Sequence, residues 1–293
     1  MGLLSHIKTA QERPSHMSVN VRGRLLDLDV PIAMGILNAT PDSFYEASRS
    51  NGPEDAVSRA GQMLAEGAAI IDVGACSTRP GSEPVSEDEE MRRLAPTLSQ
   101  LRKHFPDAIL SLDTFRADVA ERCIREFGID IINDISGGDL DARIYDVAAR
   151  ARVPYILTHA QKMEPEDYPT PDDLMAAICE WMARRVEDLR QKGVADIILD
   201  PGFGFGKTLE QNYWIMNRLE DFHLFKLPIL VGISRKSMIN RLLDITPAEA
   251  LDGTTVLNTV SLMAGAHILR VHDVRPAVEA IKIIGKLKIK IKN

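Results

Sequence analysis

The feature that most limits how this chain can fold is a series of eight short apolar runs, each followed by a segment with helical spacing. The runs are Ile32–Leu37, Ala69–Val73, Ile109–Leu112, Asp130–Ile132, Pro154–Leu157, Asp196–Leu199, Pro228–Gly232 and Ala266–Val271. Most are apolar throughout rather than alternating with polar residues. That pattern is typical of strands buried on both faces of a parallel sheet.

The segments between the runs place apolar residues on one helical face. The predicted helices are Pro53–Glu66, Ser86–His104, Phe115–Phe127, Leu140–Arg152, Asp172–Lys192, Leu209–Leu219, Pro247–Ala264 and Val274–Ile284. Ser86 and Glu89 have the spacing of a capping box. Eight strand–helix units in about 250 residues predict an α/β fold with a single (β/α)8 TIM barrel. A doubly wound open sheet is the alternative, because eight parallel strands can also lie flat.

Two terminal regions lie outside this repeating pattern. Residues 1–30 are predicted to be an N-terminal extension, with candidate strands in Asn20–Leu28 that form a hairpin at the barrel bottom. Residues 31–293 would form the barrel domain. The lysine-rich stretch Lys282–Lys292 is interpreted as the end of an amphipathic helix followed by a solvated terminus.

Composition excludes several classes of partner. The formal net charge of -7 gives no general surface for nucleic acid. No run of about 18 apolar residues occurs and the first residues carry no secretory pattern, so no membrane partner is expected. Cys76, Cys123 and Cys179 lack zinc or Cys-x-x-Cys spacing, which favours reduced thiols in a cytoplasmic protein.

Polar or charged residues follow all eight predicted strands, and ligands of parallel barrels bind at these carboxyl ends. In chain order they are Asn38, Asp72 with Ser77–Gly81, Asp113, Asn133 with Asp134, His159, Asp200, Ser234–Ser237, and Arg270 with His272. Taken singly, Asp134, Thr114 and His159 are explained as well by turns, caps or a core histidine. Together, the carboxylates and carboxamides suit a flat polar heterocycle, and the cations suit a diphosphate.

The segment Asp200–Lys207, Asp-Pro-Gly-Phe-Gly-Phe-Gly-Lys, nearly forms a phosphate loop. Pro201 stands where that motif needs its first glycine, so a P-loop nucleotide hydrolase is disfavoured. The glycines are expected to turn the chain tightly enough for Asp200 and Phe205 to frame a flat ligand. Lys207 is interpreted as a solvated lysine at a helix start.

Seven motifs resemble those of the dihydropteroate synthase family, in the family's order. They are Met34–Phe44, Asp72–Gly81, Ser111–Thr114, Ile132–Asp134, Asp200–Lys207, Ser234–Ser237 and Arg270–His272. The family joins 6-hydroxymethyl-7,8-dihydropterin diphosphate to para-aminobenzoate and releases pyrophosphate, giving dihydropteroate for folate biosynthesis. The resemblance implies this activity, a Mg²⁺ cofactor, small-molecule substrates and a homodimer.

The resemblance also implies roles for individual residues. The pterin would be bound by Asp113, Asn133, Asp200, Phe205 and Lys236. The diphosphate would be bound by Asn38, Arg79, Arg270 and His272, with Asn38 also placing the magnesium. The para-aminobenzoate pocket would be formed by Phe44, Thr78, Pro80 and Ser237. Catalysis would depend on Asn38, Lys236, Arg270 and His272.

The chain departs from the family pattern at loops. Tyr45–Arg49 replaces a glycine-containing stretch, Ala75-Cys76 replaces Gly-Glu or Gly-Gly, and Thr158-His159-Ala160 replaces Met-His-Met. A non-catalytic pterin-binding paralogue is one alternative, but it would have no use for the diphosphate residues. A folate-dependent methyltransferase domain is another, and it would have little need for Ser77–Gly81 or Ser234–Ser237.

Overall fold

Eight parallel strands and their connecting helices dominate the structure, a computed structural model that describes residues 16–39, 52–75 and 85–289. The strands are β1 (Ser18–Val21), β2 (Arg24–Asp27), β3 (Ile32–Asn38), β4 (Ala68–Gly74), β5 (Ile109–Asp113), β6 (Ile131–Asp134), β7 (Tyr155–Thr158), β8 (Ile197–Asp200), β9 (Leu230–Val231) and β10 (Ile268–Val271). The helices are α1 (Pro53–Glu66), α2 (Glu87–His104), α3 (Ala117–Phe127), α4 (Arg143–Ala151), α5 (Pro171–Gln191), α6 (Leu209–Asn217), α7 (Ser237–Leu243), α8 (Leu251–Met263) and α9 (Val274–Ile289).

The large sheet closes on itself. Its order is β8-β7-β6-β5-β4-β3-β10-β9 and every neighbouring pair is parallel. Its two ends meet where Leu199 pairs with Ile229 and where the Leu199 N–H donates to the Pro228 carbonyl at 2.8 Å. Closure confirms the predicted (β/α)8 barrel and excludes the open doubly wound sheet.

The inside of the barrel changes from apolar to polar along the strands. The lower inward positions form one buried cluster, whose members include Met34, Ile70, Ile131, Ile156, Ile198, Leu230 and Ile268. Side chains two residues further along a strand point to the same side. Those positions are Ile36, Asp72, Asn133, Thr158, Asp200, Gly232 and Arg270. The polar groups therefore lie together at the carboxyl end, above an apolar floor.

The β1–β2 hairpin covers the other end of the barrel. Val19, Val21 and Leu28 belong to the apolar inner cluster. Arg22, in the hairpin turn, binds the Asp130 carboxylate and donates to the Ala108 carbonyl, both just outside the strands they adjoin. The division of the chain at residue 30 into extension and barrel domain stays a prediction.

Most predicted helices are present, with three corrections. The predicted helix Pro247–Ala264 is split into a 3-10 turn (Pro247–Glu249) and α8. The short helix α7, of seven residues, was not predicted. The last helix continues to Ile289 rather than ending at Ile284. Across the described ranges, no helix has both the length and the apolar character needed to span a membrane.

The capping box predicted at α2 is half formed. The Ser86 hydroxyl accepts a hydrogen bond from the Glu89 N–H at 3.2 Å, as expected of an N-cap. The Glu89 carboxylate does not return to the Ser86 backbone. It accepts instead from Arg92 and Arg93 one turn further along the helix, at 2.6 Å each.

Candidate active site

Arg270 stands between two carboxylates on the inner face of the barrel. Its Nε donates to Asp72 Oδ2 and its Nη2 donates to Asp113 Oδ2, both at 2.7 Å. Asn133 Nδ2 also donates to Asp72 Oδ2, at 3.0 Å. These contacts join β4, β5, β6 and β10. Because unpaired buried charges are costly, the network holds each member in one place.

The network leaves hydrogen-bonding capacity for a ligand. Asp72 Oδ1 is buried and has no partner among the described residues. Burial raises the pKa of Asp113 to about 7, with Arg270 opposing the rise and Asp72 adding to it. The Asp113 carboxylate, held by Arg270, can accept a further hydrogen bond from the edge of a polar heterocycle.

The buried Asp200 and the partly buried Lys236 carry opposite charges that attract each other. Asp200 Oδ1 accepts from the Gly202 N–H at 2.8 Å. Burial raises the pKa of Asp200, and the Lys236 ammonium opposes that rise. Burial lowers the pKa of Lys236 to about 8, and Asp200 opposes that fall. Both side chains could therefore contact a bound ligand in place of part of their interaction with each other.

Phe205 lies beside the same lysine. Lys236 Nζ is 4.3 Å from the centroid of the Phe205 ring, and it also donates to the Phe203 carbonyl. The structure thus brings Asp200, Phe205 and Lys236 together, as the predicted pterin set requires. A ring and an ammonium in contact also offer a stacking surface for a flat ligand.

The turn that follows β8 depends on glycine. Gly202 has φ of 71°, and a Cβ atom there would lie 1.9 Å from the His159 carbonyl oxygen. The turn is therefore pressed against the end of β7. Thr208 caps α6 through a capping box with Gln211, so Thr208 is not placed as a phosphate-loop residue would be.

The interpretation of Lys207 as a solvated lysine is wrong. Its Nζ donates to the carbonyls of His159, Gly202 and Phe205, at 2.8, 3.0 and 3.0 Å. Burial lowers the pKa of Lys207, while Asp200 opposes the shift, and the three carbonyl acceptors favour the charged ammonium. The sequence could not reveal this, because the three acceptors are backbone atoms.

His272 is fixed by Ser234. The Ser234 hydroxyl accepts from the His272 N–H at 3.2 Å and lies 3.0 Å from His272 Nδ1. Its own hydrogen can then point to Nδ1, which leaves the ring proton on Nε2. Burial lowers the pKa of His272 to about 3, and Arg270 adds to the fall. His272 is therefore a neutral donor at pH 7.

The remaining sequence-predicted residues have separate positions. Asn38 ends β3, paired with Gly74 of β4, and its side chain hydrogen-bonds no other described residue. Ser237 is the first residue of α7, directly after Lys236. Phe44, Thr78, Arg79 and Pro80 lie outside the described residues.

Three polar residues at strand ends have structural roles. Asp134 accepts from the N–H groups of Ser136 and Gly138, at 2.7 and 2.8 Å, so it closes a turn as predicted. The Thr114 hydroxyl donates to Glu90 at 2.7 Å, which confirms its structural interpretation. His159 is a buried histidine packed edge-on against Trp181, and burial lowers its pKa to about 2.

One central residue received no role in the sequence-based assignment. Asp72 accepts hydrogen bonds from both Arg270 and Asn133, yet from the sequence it was interpreted only as the end of a strand. Its signal was available, because Asp72 is the sole charged residue in the apolar run Ala69–Val73. A carboxylate on the inner face of a strand requires a partner cation or a ligand.

Comparison with known proteins identifies the kind of ligand. The family model described as "Pterin binding enzyme" matches residues 34–272. Barrels of this class bind a pterin, and the polar inner layer described above is chemically suited to one.

Curated relatives and solved structures narrow the class. The dihydropteroate synthase of Escherichia coli K12 is 41% identical over 276 residues, covering 92% of this chain and 95% of that protein. The synthase of Bacillus subtilis is 39% identical over 259 residues, covering 87% and 88%. A Yersinia pestis dihydropteroate synthase structure with a sulfonamide drug complex has a TM-score of 0.85, with 40% identity and coverage of 93% and 99%.

A Xanthomonas albilineans dihydropteroate synthase structure with 4-aminobenzoic acid has a TM-score of 0.83 at 33% identity, covering 94% of this chain and 99% of that one.

The chain belongs to the dihydropteroate synthase family. It is a transferase of folate biosynthesis, which condenses the pterin diphosphate with para-aminobenzoate. This activity is favoured over the paralogue and methyltransferase alternatives because the matched relatives named here are synthases over most of their length.

Proposed function

We propose that the polar inner layer is the pterin site of this transferase. The observation that carries the proposal is the set of three carboxylates, the buried Asp72 and Asp200 and the partly buried Asp113, held with Arg270 and Lys236 above an apolar floor. Asp200 would accept from the amino-pyrimidine edge of the pterin, because a buried carboxylate accepts two hydrogen bonds from such an edge. Asp113, Asn133 and Lys236 would contact the rest of the bicycle, and Phe205 would pack against it.

The diphosphate would lie next to the pterin, bound by Asn38, Arg79, Arg270 and His272. Burial opposes the ionisation of Arg270, but Asp72 and Asp113 outweigh it and raise the pKa of Arg270. Arg270 therefore stays cationic throughout the pH range of the reaction. His272, neutral and protonated on Nε2, would donate a hydrogen bond to a diphosphate oxygen without needing a proton from solvent.

The residues present fit a Mg²⁺ ion. Mg²⁺ is usually bound by one or two protein oxygens together with substrate phosphates and waters. The Asn38 carboxamide oxygen is such a ligand, and its side chain is not engaged by other described residues. When bound, Mg²⁺ supplies neutralisation of the charge that develops on the leaving diphosphate.

The reaction would proceed by direct substitution. The bond between the pterin methylene carbon and the diphosphate oxygen breaks, and Arg270 and His272 stabilise the departing charge. The neutral amine of para-aminobenzoate forms the new carbon–nitrogen bond and loses one proton to water. No protein nucleophile is required for this step, because the amine of para-aminobenzoate is itself the nucleophile.

The para-aminobenzoate site would be formed by Ser237, at the start of α7, with Phe44, Thr78 and Pro80. The Yersinia pestis synthase was solved with a sulfonamide drug, and the Xanthomonas albilineans synthase with 4-aminobenzoic acid. We expect sulfonamides to compete with para-aminobenzoate here as well. Because Lys236 adjoins Ser237, the two substrate sites would be continuous.

A homodimer is supported by an apolar surface on the last two helices. Val256 and Met263 of α8, and Ile283 and Leu287 of α9, are each more than half exposed. An exposed surface of this kind favours association. Sedimentation should give a dimer for the wild type and a monomer for Met263→Glu. A monomeric wild type would contradict the proposal.

A cytoplasmic location is proposed from the thiols of Cys123 and Cys179, which are free.

The whole proposal is tested by an assay of the purified protein with Mg²⁺, pterin diphosphate and labelled para-aminobenzoate. Labelled dihydropteroate is the expected product. Pterin binding without product would favour the non-catalytic paralogue, and no pterin binding would contradict the proposed site.

A further inference from the structure

Lys207 occupies the junction between two loops of the barrel, the one after β7 and the one after β8. Its ammonium has three N–H donors. One donates to His159 in the first loop, at 2.8 Å. The other two donate to Gly202 and Phe205 in the second, at 3.0 Å each. All three donors of the ammonium are therefore used to hold backbone.

Backbone contacts join the same two loops on either side of the lysine. The His159 N–H donates to the Asp200 carbonyl at 3.0 Å, and the Met163 N–H donates to the Gly206 carbonyl at 2.7 Å. A Cβ atom on Gly206 would lie 2.5 Å from the Gln161 carbonyl oxygen. The two loops are thus in close contact over several residues, and the Lys207 ammonium donates hydrogen bonds to both of them.

The loop that Lys207 holds carries part of the proposed pterin site. It begins at Asp200 and presents the Phe205 ring to Lys236. Lys236 also donates to the Phe203 carbonyl, between the two carbonyls that Lys207 binds in this loop. The two lysines therefore hold the same turn by neighbouring carbonyls, and only Lys236 is proposed to touch substrate.

We infer that Lys207 is a positioning residue for the pterin site. By joining the loops after β7 and β8, it sets the place of Asp200 and Phe205 before substrate binds. A rigid site binds more tightly because less ordering remains to be done on binding. The inference rests on the proposed pterin site, and it adds a residue that would not contact the pterin.

The test compares Lys207→Met, which keeps the length of the side chain but has no donor, with Lys207→Gln, which keeps two N–H donors without the charge. Lys103→Met, at an exposed position of α2, is the matched control. The Kd for the pterin diphosphate should rise roughly tenfold or more in the methionine variant and less in the glutamine variant. The KM for para-aminobenzoate should change less than about twofold, since a general loss of stability would affect both substrates.

The outcomes separate this inference from the proposed function. Wild-type protein that binds no pterin contradicts the pterin site itself. Wild-type binding together with unchanged pterin Kd in both variants contradicts only the role of Lys207. If the methionine variant does not fold, an unchanged Kd and unchanged thermal stability in the glutamine variant would overturn the inference. Equal loss of affinity for both substrates would also overturn it, because Lys207 would then act through stability alone.

Discussion

Arg270 donates to Asp113 at 2.7 Å inside the barrel, and this contact sets the electrostatics of the site. The same guanidinium also binds Asp72. Arg270 was predicted from the sequence as a diphosphate residue, and the structure brings it to the carboxylates of the proposed pterin site. In the proposed function, Arg270 would therefore contact both halves of the substrate, and would couple pterin binding to the departure of the diphosphate.

The first prediction is a narrow pH optimum. Burial raises the pKa of Asp113 to about 7 and lowers that of Lys236 to about 8. The proposed pterin contacts use the Asp113 carboxylate and the Lys236 ammonium, so kcat/KM should fall below about pH 7 and above about pH 8. A pH series of initial rates gives the profile. Asp113→Asn should abolish the acid limb, and an unchanged limb in that variant would assign it to another group.

The second prediction concerns Asp72, which accepts from both Arg270 and Asn133. Asp72→Asn removes the charge that balances Arg270 and should lower the free energy of unfolding by about 1.5–3 kcal/mol. Urea denaturation measures the loss. Asp107→Asn, at an exposed position, should change the value by less than about 0.5 kcal/mol. Equal stability of the two variants would show that the Asp72 contacts are not stabilising.

The third prediction concerns the turn after β8. Gly202→Ala would bring a methyl group to the His159 carbonyl, in a backbone conformation that alanine rarely adopts. We expect a large loss of pterin affinity and a lower Tm. Gly285→Ala is the control, because nothing lies within 4 Å of that position and alanine favours a helix. Normal pterin binding by Gly202→Ala would mean that the turn is not part of the site.

The fourth prediction concerns the tautomer of His272. Ser234→Ala removes the hydroxyl beside His272 Nδ1 and should lower kcat roughly tenfold while pterin Kd stays unchanged. Ser234→Thr keeps the hydroxyl and should recover most of the rate. Single-turnover kinetics and pterin titration separate the two effects. A fall in pterin affinity with normal kcat would contradict the diphosphate role of His272.

The sequence predicted the fold well because the signals were local. The apolar runs placed all eight barrel strands, since buried parallel strands differ in pattern from amphipathic helices. The same runs predicted the strand-end residues Asp113, Asn133 and Asp200, because the carboxyl ends of parallel strands meet at one end of a barrel.

Other features could not be predicted, since they depend on backbone atoms or on contacts distant in sequence. The three groups that Lys207 binds are backbone carbonyls, which every residue carries, so no sequence motif indicates them. Arg22 and Asp130 are separated by 108 residues and meet only after the barrel has closed. The short helix α7 was missed because seven residues carry too little periodicity to be recognised.

The central claim, that the polar inner layer binds the pterin, is tested most directly by titrating the pterin diphosphate into wild type and Asp200→Asn. Removal of the charge should weaken binding by about 1.5–3 kcal/mol, roughly tenfold to more than a hundredfold in Kd. Asp252→Asn, at an exposed position of α8, should bind like the wild type. Equal pterin affinity of Asp200→Asn and the wild type would contradict the claim.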